Sequence, residues 1–191
     1  VTPLLSIIVA AALVNNVVLI QSLGVSSLFA YSNRLQSTIE LALVSFLAIF
    51  LASSINLLLY RGILLPLGLE YLALLCFVGV SAILTSLLLR RLEKEFSLSM
   101  RKQEFAFYLI CGNSSIIGLS LLNSSALLSI ADSLVYSFGA ALGFALILLA
   151  FAALRQRLDT ADVPAPFRGA AIQLISAGIV AMCLLGFSGM V

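Results

Sequence analysis

Two adjacent amides, Asn15 and Asn16, stand in the middle of an apolar run from Leu4 to Ile20. Asn113 interrupts a second apolar run in the stretch Cys111-Gly112-Asn113-Ser114-Ser115. Inside a bilayer a carboxamide has no water to bond. A helix broken there also exposes backbone N–H and C=O groups that must find partners in protein, a cavity or a cofactor. Such amides can bond the freed backbone groups, join helices at about 1 kcal/mol per hydrogen bond, or hold an ion or cofactor between two breaks. Cys111 shares a segment with Asn113 and is the cysteine placed to take part. Cys76 and Cys183 lie in apolar segments without CxxC spacing, as small buried hydrophobes do.

Other chemistries are missing from the chain. There is no histidine, which removes the commonest metal ligand and the easiest proton relay. Glu40, Glu70 and Asp132 fall near the ends of apolar runs, so no central carboxylate serves a self-contained proton pump. No Walker loop, GxGxxG, GxSxG or HExxH occurs, which argues against an ATPase, a nucleotide-binding domain or a hydrolase. A net charge of +2 without a basic stripe argues against nucleic acid as a partner.

The elements that must position these residues follow from composition. The 191 residues are 62% hydrophobic and 9% charged, whereas a soluble domain carries about 25% charged residues. This is an all-α integral membrane protein. At about 20 to 25 residues per helix with short loops, the chain has room for six spans. They are expected near Leu4–Phe29, Thr38–Tyr60, Tyr71–Leu89, Phe105–Leu122, Ser133–Leu154 and Ala170–Met190, with spans 1 and 4 interrupted. The first run has no basic leader and no A-x-A cleavage site, so it is expected to be retained as a span. Arg61 to Glu70, Asn123 to Asp132 and Arg155 to Arg168 read as loops. In span 5, Gly139 and Gly143 form G-x-x-x-G, a spacing that lets helices approach closely.

With six alternating spans, one side collects Arg34, Arg90, Arg91, Lys94, Arg101, Lys102, Arg155, Arg157 and Arg168, and the other only Arg61. The basic side is cytoplasmic, so both termini are expected outside the cytoplasm. The charged stretch from Arg90 to Glu104 divides the chain into halves at 1–96 and 97–191. The offset that carries Asn15 onto Asn113 also carries Pro66 onto Pro164. An odd number of spans per half makes the second half an inverted repeat, an architecture that builds midplane sites from broken helices. The alternative is six ordinary helices with a few tolerated amides.

Four stretches carry a resemblance over nearly the whole chain. They are Leu13-Val14-Asn15-Asn16; Asn113 with Gly118-Leu119-Ser120-Leu121-Leu122-Asn123; Phe151-Ala152-Ala153-Leu154-Arg155-Gln156-Arg157-Leu158 followed by Ala161-Asp162-Val163-Pro164-Ala165-Pro166-Phe167-Arg168-Gly169; and Gly186-Phe187-Ser188-Gly189. The chain resembles the A-type membrane subunits of Rnf (also called Rsx) ion-translocating oxidoreductase complexes. That family also includes the D and E subunits of the sodium-translocating NADH:quinone reductase.

The resemblance implies a six-span inverted repeat in the bacterial cytoplasmic (inner) membrane. The chain would pair in opposite orientation with a homologous E subunit, within an assembly of the other Rnf subunits. The resemblance also implies a [2Fe–2S] cluster at the shared interface. Electrons would pass through it between flavin and iron–sulfur subunits, coupled to Na⁺ or H⁺ movement, and the chain would have no catalytic activity alone. The family's cysteine positions correspond here to Ser26, in Leu23-Gly24-Val25-Ser26, and to Ser114. Serine is a harder and poorer ligand than the thiolate such clusters use. Three readings stay open. A cluster persists through Ser26, Ser114 or Cys111, the last one helical turn before Ser114 and framed by Asn15 and Asn113; the cluster is lost and the site is structural; or the serines are substitutions. The rival functional class is a stand-alone secondary transporter with its site between Asn15 and Asn113.

Overall fold

The computed structural model describes residues 3–26, 35–92, 114–125 and 129–187, and every regular element among them is helical. Helix α1 (Pro3–Val9) passes into a π-turn at Ala10–Val14 and stops there. Helix α2 (Leu35–Leu59) continues as a π-turn over Tyr60–Leu64. A 3-10 turn at Glu70–Leu72 then leads into α3 (Ala73–Leu92). Helix α4 covers Ser114–Ser125 and α5 covers Ile130–Asp159. A second 3-10 turn, Ala165–Phe167, precedes α6 (Ala170–Leu185).

Among the described residues three helices are long and apolar enough to cross a membrane: Thr38–Leu64, Glu70–Arg91 and Ile130–Thr160. Leu4–Val14 and Ala170–Leu185 are shorter apolar helices. The end of span 1 and the first half of span 4, Cys111 and Asn113 included, lie outside the described residues.

The helix ends depart from the expected loops for local reasons. Ser129 caps α5: its hydroxyl accepts the Asp132 N–H at 3.1 Å and donates to the Asp132 carboxylate at 2.6 Å. Such a cap is worth about 1 kcal/mol, and it starts α5 at Ile130, inside the expected turn. At the other end α5 runs on through Arg155-Gln156-Arg157, which were expected in a loop. These are strong helix formers, so the helix continues beyond its apolar stretch and ends where the Thr160 hydroxyl bonds back to the Arg157 carbonyl at 3.0 Å. The expected loop after span 2 likewise begins with the Tyr60–Leu64 π-turn, and the chain turns at Gly68, whose φ is +66°.

Helices α2 and α5 form the centre of the bundle. Small residues such as Ala48, Ala52, Ala140 and Ala141 alternate there with buried Ile49, Phe144 and Leu148. Phe138 stands edge-on to Phe46 and Phe50 at centroid distances of 5.5 and 5.7 Å, a favourable aromatic arrangement. The Gly139–Gly143 pair does what its spacing implies: it brings the backbone of α5 against α1. A Cβ on Gly139 would lie 2.9 Å from the Ile8 carbonyl oxygen, and one on Gly143 would lie 2.5 Å from that of Ala12.

Helix α3 is peripheral. Only 22% of its apolar window is buried in the chain, against 56% for α2 and α5. Leu75 and Ile83 on α3, and Ile179 and Met182 on α6, turn outward as lipid- or partner-facing residues do. Cys76 is half-buried beside the Leu64–Ala73–Phe77 cluster, whereas Cys183 is exposed rather than buried as expected.

Candidate functional site

The first break forms at the residues the sequence singled out, and Asn16 organises it. The Asn15 N–H closes the π-turn on the Ala10 carbonyl at 2.7 Å, after which the backbone leaves helical geometry (φ −100°, ψ 39°). Asn16 is fully buried. Its amide nitrogen donates to the Ala12 carbonyl at 2.7 Å, which satisfies an end of the first segment. Its amide oxygen accepts the N–H groups of Val18 and Leu19 at 3.0 and 3.3 Å, as an N-cap does for the short turn that follows. One side chain therefore closes both sides of the break with the backbone's own groups. Asn15, by contrast, is exposed on the outside of the chain.

Beyond that turn Ser22 and Gly24 adopt left-handed backbone geometry, with φ values of +55° and +75°. The left-handed geometry costs a non-glycine residue about 1–2 kcal/mol, so Ser22 is held there by its surroundings. The Gln21 side chain lies beside Tyr136 of α5. The next two residues meet the start of α4. The Gly24 N–H donates to the Ser114 hydroxyl at 2.8 Å, and the Ser115 hydroxyl donates to the Leu23 carbonyl at 2.9 Å. Leu23 also packs against Gly118, where a Cβ would collide with its side-chain methyl.

The segment that follows the first break thus meets the start of α4 through Leu23–Gly24 and Ser114–Ser115. Ser26, exposed and back in helical backbone, lies just past this contact. Ser114 is exposed at the head of α4. Cys111 and Asn113 lie outside the described residues.

The described donors do not fit a [2Fe–2S] cluster. Ser26 and Ser114 carry neutral hydroxyls, which are hard oxygen donors, and the Ser114 oxygen already accepts a backbone N–H. Iron–sulfur clusters rest on thiolate. Of the cysteines among the described residues, Cys76 lies on α3 and Cys183 on α6, neither in the segments that form this contact.

Several functional contacts were not foreseen. Ser115 stood out in the sequence only as a neighbour of Asn113. Asn56 pairs with Ser120 and Asn123 with Ser137, joining α2, α4 and α5 by buried side-chain hydrogen bonds. Their signal in the sequence is small polar residues at three- and four-residue spacing, Ser120 with Asn123 and Ser133 with Ser137, inside apolar helices.

Comparison with known proteins gives this architecture its relatives. The family model described as "Rnf-Nqr subunit, membrane protein" matches residues 4–191. A protein of Pseudoalteromonas atlantica, named as the A subunit of an ion-translocating oxidoreductase complex, is 39% identical over 190 residues, covering 100% of this chain and 98% of the relative. Its namesake in Azotobacter vinelandii is 41% identical over 191 residues with the same coverage. That of Alkalilimnicola ehrlichii is 40% identical over 190 residues, again covering 100% of this chain and 98% of the relative. The chain belongs to the Rnf-Nqr family of membrane subunits.

Proposed function

We propose that this chain is the A-type membrane subunit of an Rnf-type complex in the bacterial cytoplasmic membrane, coupling electron transfer between ferredoxin- or NADH-side carriers to Na⁺ or H⁺ translocation. The observation that carries the reading is the end-to-end match to relatives named as the A subunit of an ion-translocating oxidoreductase complex. The largely unburied α3 supports it, because that face suits sister subunits or lipid. In this reading the homologous E subunit packs on the chain in the opposite orientation, and the chain has no catalytic activity alone.

The stand-alone transporter has less support. The buried amide of Asn16 is engaged by three backbone groups, which leaves its oxygen no free lone pair for a solute or ion. Purification decides between the two. A tagged chain should co-purify with sister subunits. A stable monomer that moves a solute in liposomes without them overturns the proposal.

A cluster ligated by this chain would depend on Cys111 as its thiolate. Iron content and low-temperature EPR of the reduced complex test that dependence, with Cys111→Ala as the comparison. Loss of a [2Fe–2S] signal and its iron in the variant assigns the ligand. An unchanged signal removes Cys111 from the site and leaves the Ser114–Gly24 contact with a structural role.

A further inference from the structure

A polar seam runs between α2, α4 and α5 through otherwise apolar packing. Asn56 and Ser133 are fully buried, and Ser120 and Asn123 are 2% and 1% exposed. The Asn56 amide nitrogen donates to the Ser120 hydroxyl at 2.8 Å, and that of Asn123 donates to the Ser137 hydroxyl at 2.7 Å. Each hydroxyl has one proton, and each already commits it to its own helix. Ser120 donates to the Ile116 carbonyl at 2.7 Å and Ser137 to the Ser133 carbonyl at 2.8 Å. Neither hydroxyl can donate to an amide oxygen as well, so the orientation of both amides is fixed by the network. The nitrogens must face the serines and the oxygens must face away.

Among the described residues no donor reaches the Asn56 amide oxygen, the Asn123 amide oxygen or the Ser133 hydroxyl. An unpaired acceptor in an apolar, water-poor interior suffers the full loss of its hydration. Three of them in one seam call for a small hydrogen-bond donor. A bare cation is a poor match, because every seam side chain is neutral and an uncompensated charge is strongly disfavoured in low dielectric. The nearest carboxylate in the sequence, Asp132, instead engages Ser129 through its oxygen at 2.6 Å. Water has the right size, two donors and no charge, and internal water characteristically bridges such groups.

We propose that the Asn56 and Asn123 amide oxygens and the Ser133 hydroxyl are the protein ligands of internal water molecules, which make the α2–α4–α5 seam a hydrated layer within the membrane. The proposal does not rest on the complex in which the chain acts.

Two measurements on the assembled complex test it. A cryo-EM map fine enough to show ordered water should place density within about 2.7–3.2 Å of both amide oxygens. Bare oxygens, or a partner-subunit side chain donating to them, overturn the proposal. The second measurement is thermal midpoint. The Ser133 hydroxyl makes no bond to the described residues, so Ser133→Ala removes only the group assigned to water. Deleting an unpaired buried hydroxyl is neutral or stabilising, whereas deleting a hydrated one destabilises. Ser133→Ala should therefore lower the midpoint by about 2–4 °C, on the scale expected for a chain of this size. An unchanged or raised midpoint counts against hydration. A midpoint that rises with Na⁺ in the wild type, but not in Ser133→Ala, identifies a cation as the ligand and also overturns it.

Discussion

The hydroxyl of Ser114 accepts the backbone N–H of Gly24 across 2.8 Å, at a separation of 90 residues in the chain. Ser115 adds the reciprocal bond, donating to the Leu23 carbonyl at 2.9 Å. Two consecutive residues at the head of α4 thus clamp the single Leu23–Gly24 peptide group, in the extension of α1, by its carbonyl and its N–H. Because the two bonds run in opposite directions, the clamp fixes both the register and the polarity of the contact.

Removing one hydroxyl should cost about 1 kcal/mol, the usual scale for a hydrogen bond between membrane segments. Ser115→Ala is expected to lower the thermal midpoint of the purified complex by about 2–4 °C. Ser115→Thr should restore most of that loss by returning the donor. If Ser115→Ala leaves the midpoint unchanged, the clamp makes no net contribution.

Asn16 and Asn15 are adjacent in sequence and should differ sharply under substitution. Asn16→Leu strips three backbone groups of their partner, each at about 1–3 kcal/mol when left unsatisfied. The expected result is a chain that no longer accumulates in the membrane. Asn16→Asp, in the neutral protonated form that an apolar interior requires, keeps the acceptor for Val18 and Leu19 and an O–H donor for the Ala12 carbonyl, so its loss should be smaller. Asn15→Leu, at an exposed position, should stay within about 0.5 kcal/mol of wild type and accumulate normally. Immunoblots of isolated membranes compare all three. Equal behaviour of Asn15→Leu and Asn16→Leu would remove Asn16 from the centre of the break.

The sequence made part of this site legible because the physics there is stark. An amide pair in a long apolar run must be compensated, and Asn15-Asn16 marks the break to the residue. It could not say which amide turns inward, because that depends on the π-turn closing at Asn15. Nor could it foretell that Leu23–Gly24, rather than the amides themselves, meets the head of α4. That contact follows left-handed backbone geometry at Ser22 and Gly24, which few local patterns announce in an apolar stretch. In the sequence Asn56 is legible as the end of a Ser53-Ser54-Ile55-Asn56 cluster within span 2, and Asn123 as the end of the stretch from Gly118 that carries the resemblance. Their pairing across helices is tertiary, and no periodicity within one helix encodes it. The overrun of α5 to Asp159 had the opposite cause. Its signal was local, in helix-forming Arg155-Gln156-Arg157, but charge alone had suggested a loop.

Gly143 gives a packing prediction with an internal control. A Cβ there would lie 2.5 Å from the Ala12 carbonyl oxygen and 2.8 Å from its Cα, so backbone rather than a flexible side-chain tip must yield. Gly143→Ala should destabilise by about 1–3 kcal/mol, as overpacking does. Gly178, on the open face of α6, has nothing within 4 Å of the position a methyl group would take. Gly178→Ala should therefore be neutral or slightly stabilising through helix propensity. Thermal midpoints of the two variants in the same preparation test the contrast. Similar losses for both would mean that the approach of α1 to α5 is looser than these distances require.

Orientation can be tested from two exposed segments that six alternating spans would put on opposite sides of the membrane. The turn at Pro66–Leu69 neighbours only Arg61, whereas the segment after α5 is flanked by Arg155, Arg157 and Arg168. By the charge bias the second segment is expected in the cytoplasm and the first outside. Leu67 and Ala161 are both exposed and lie outside the apolar spans, so each can carry a single introduced cysteine. A membrane-impermeant maleimide added to spheroplasts should label Leu67→Cys. It should reach Ala161→Cys only after permeabilisation, in a background where Cys76, Cys111 and Cys183 are Ala. Labelling of Ala161→Cys alone in sealed spheroplasts would invert the topology. The nine basic residues would then face outward, and the proposed placement of both termini outside the cytoplasm would fail with it.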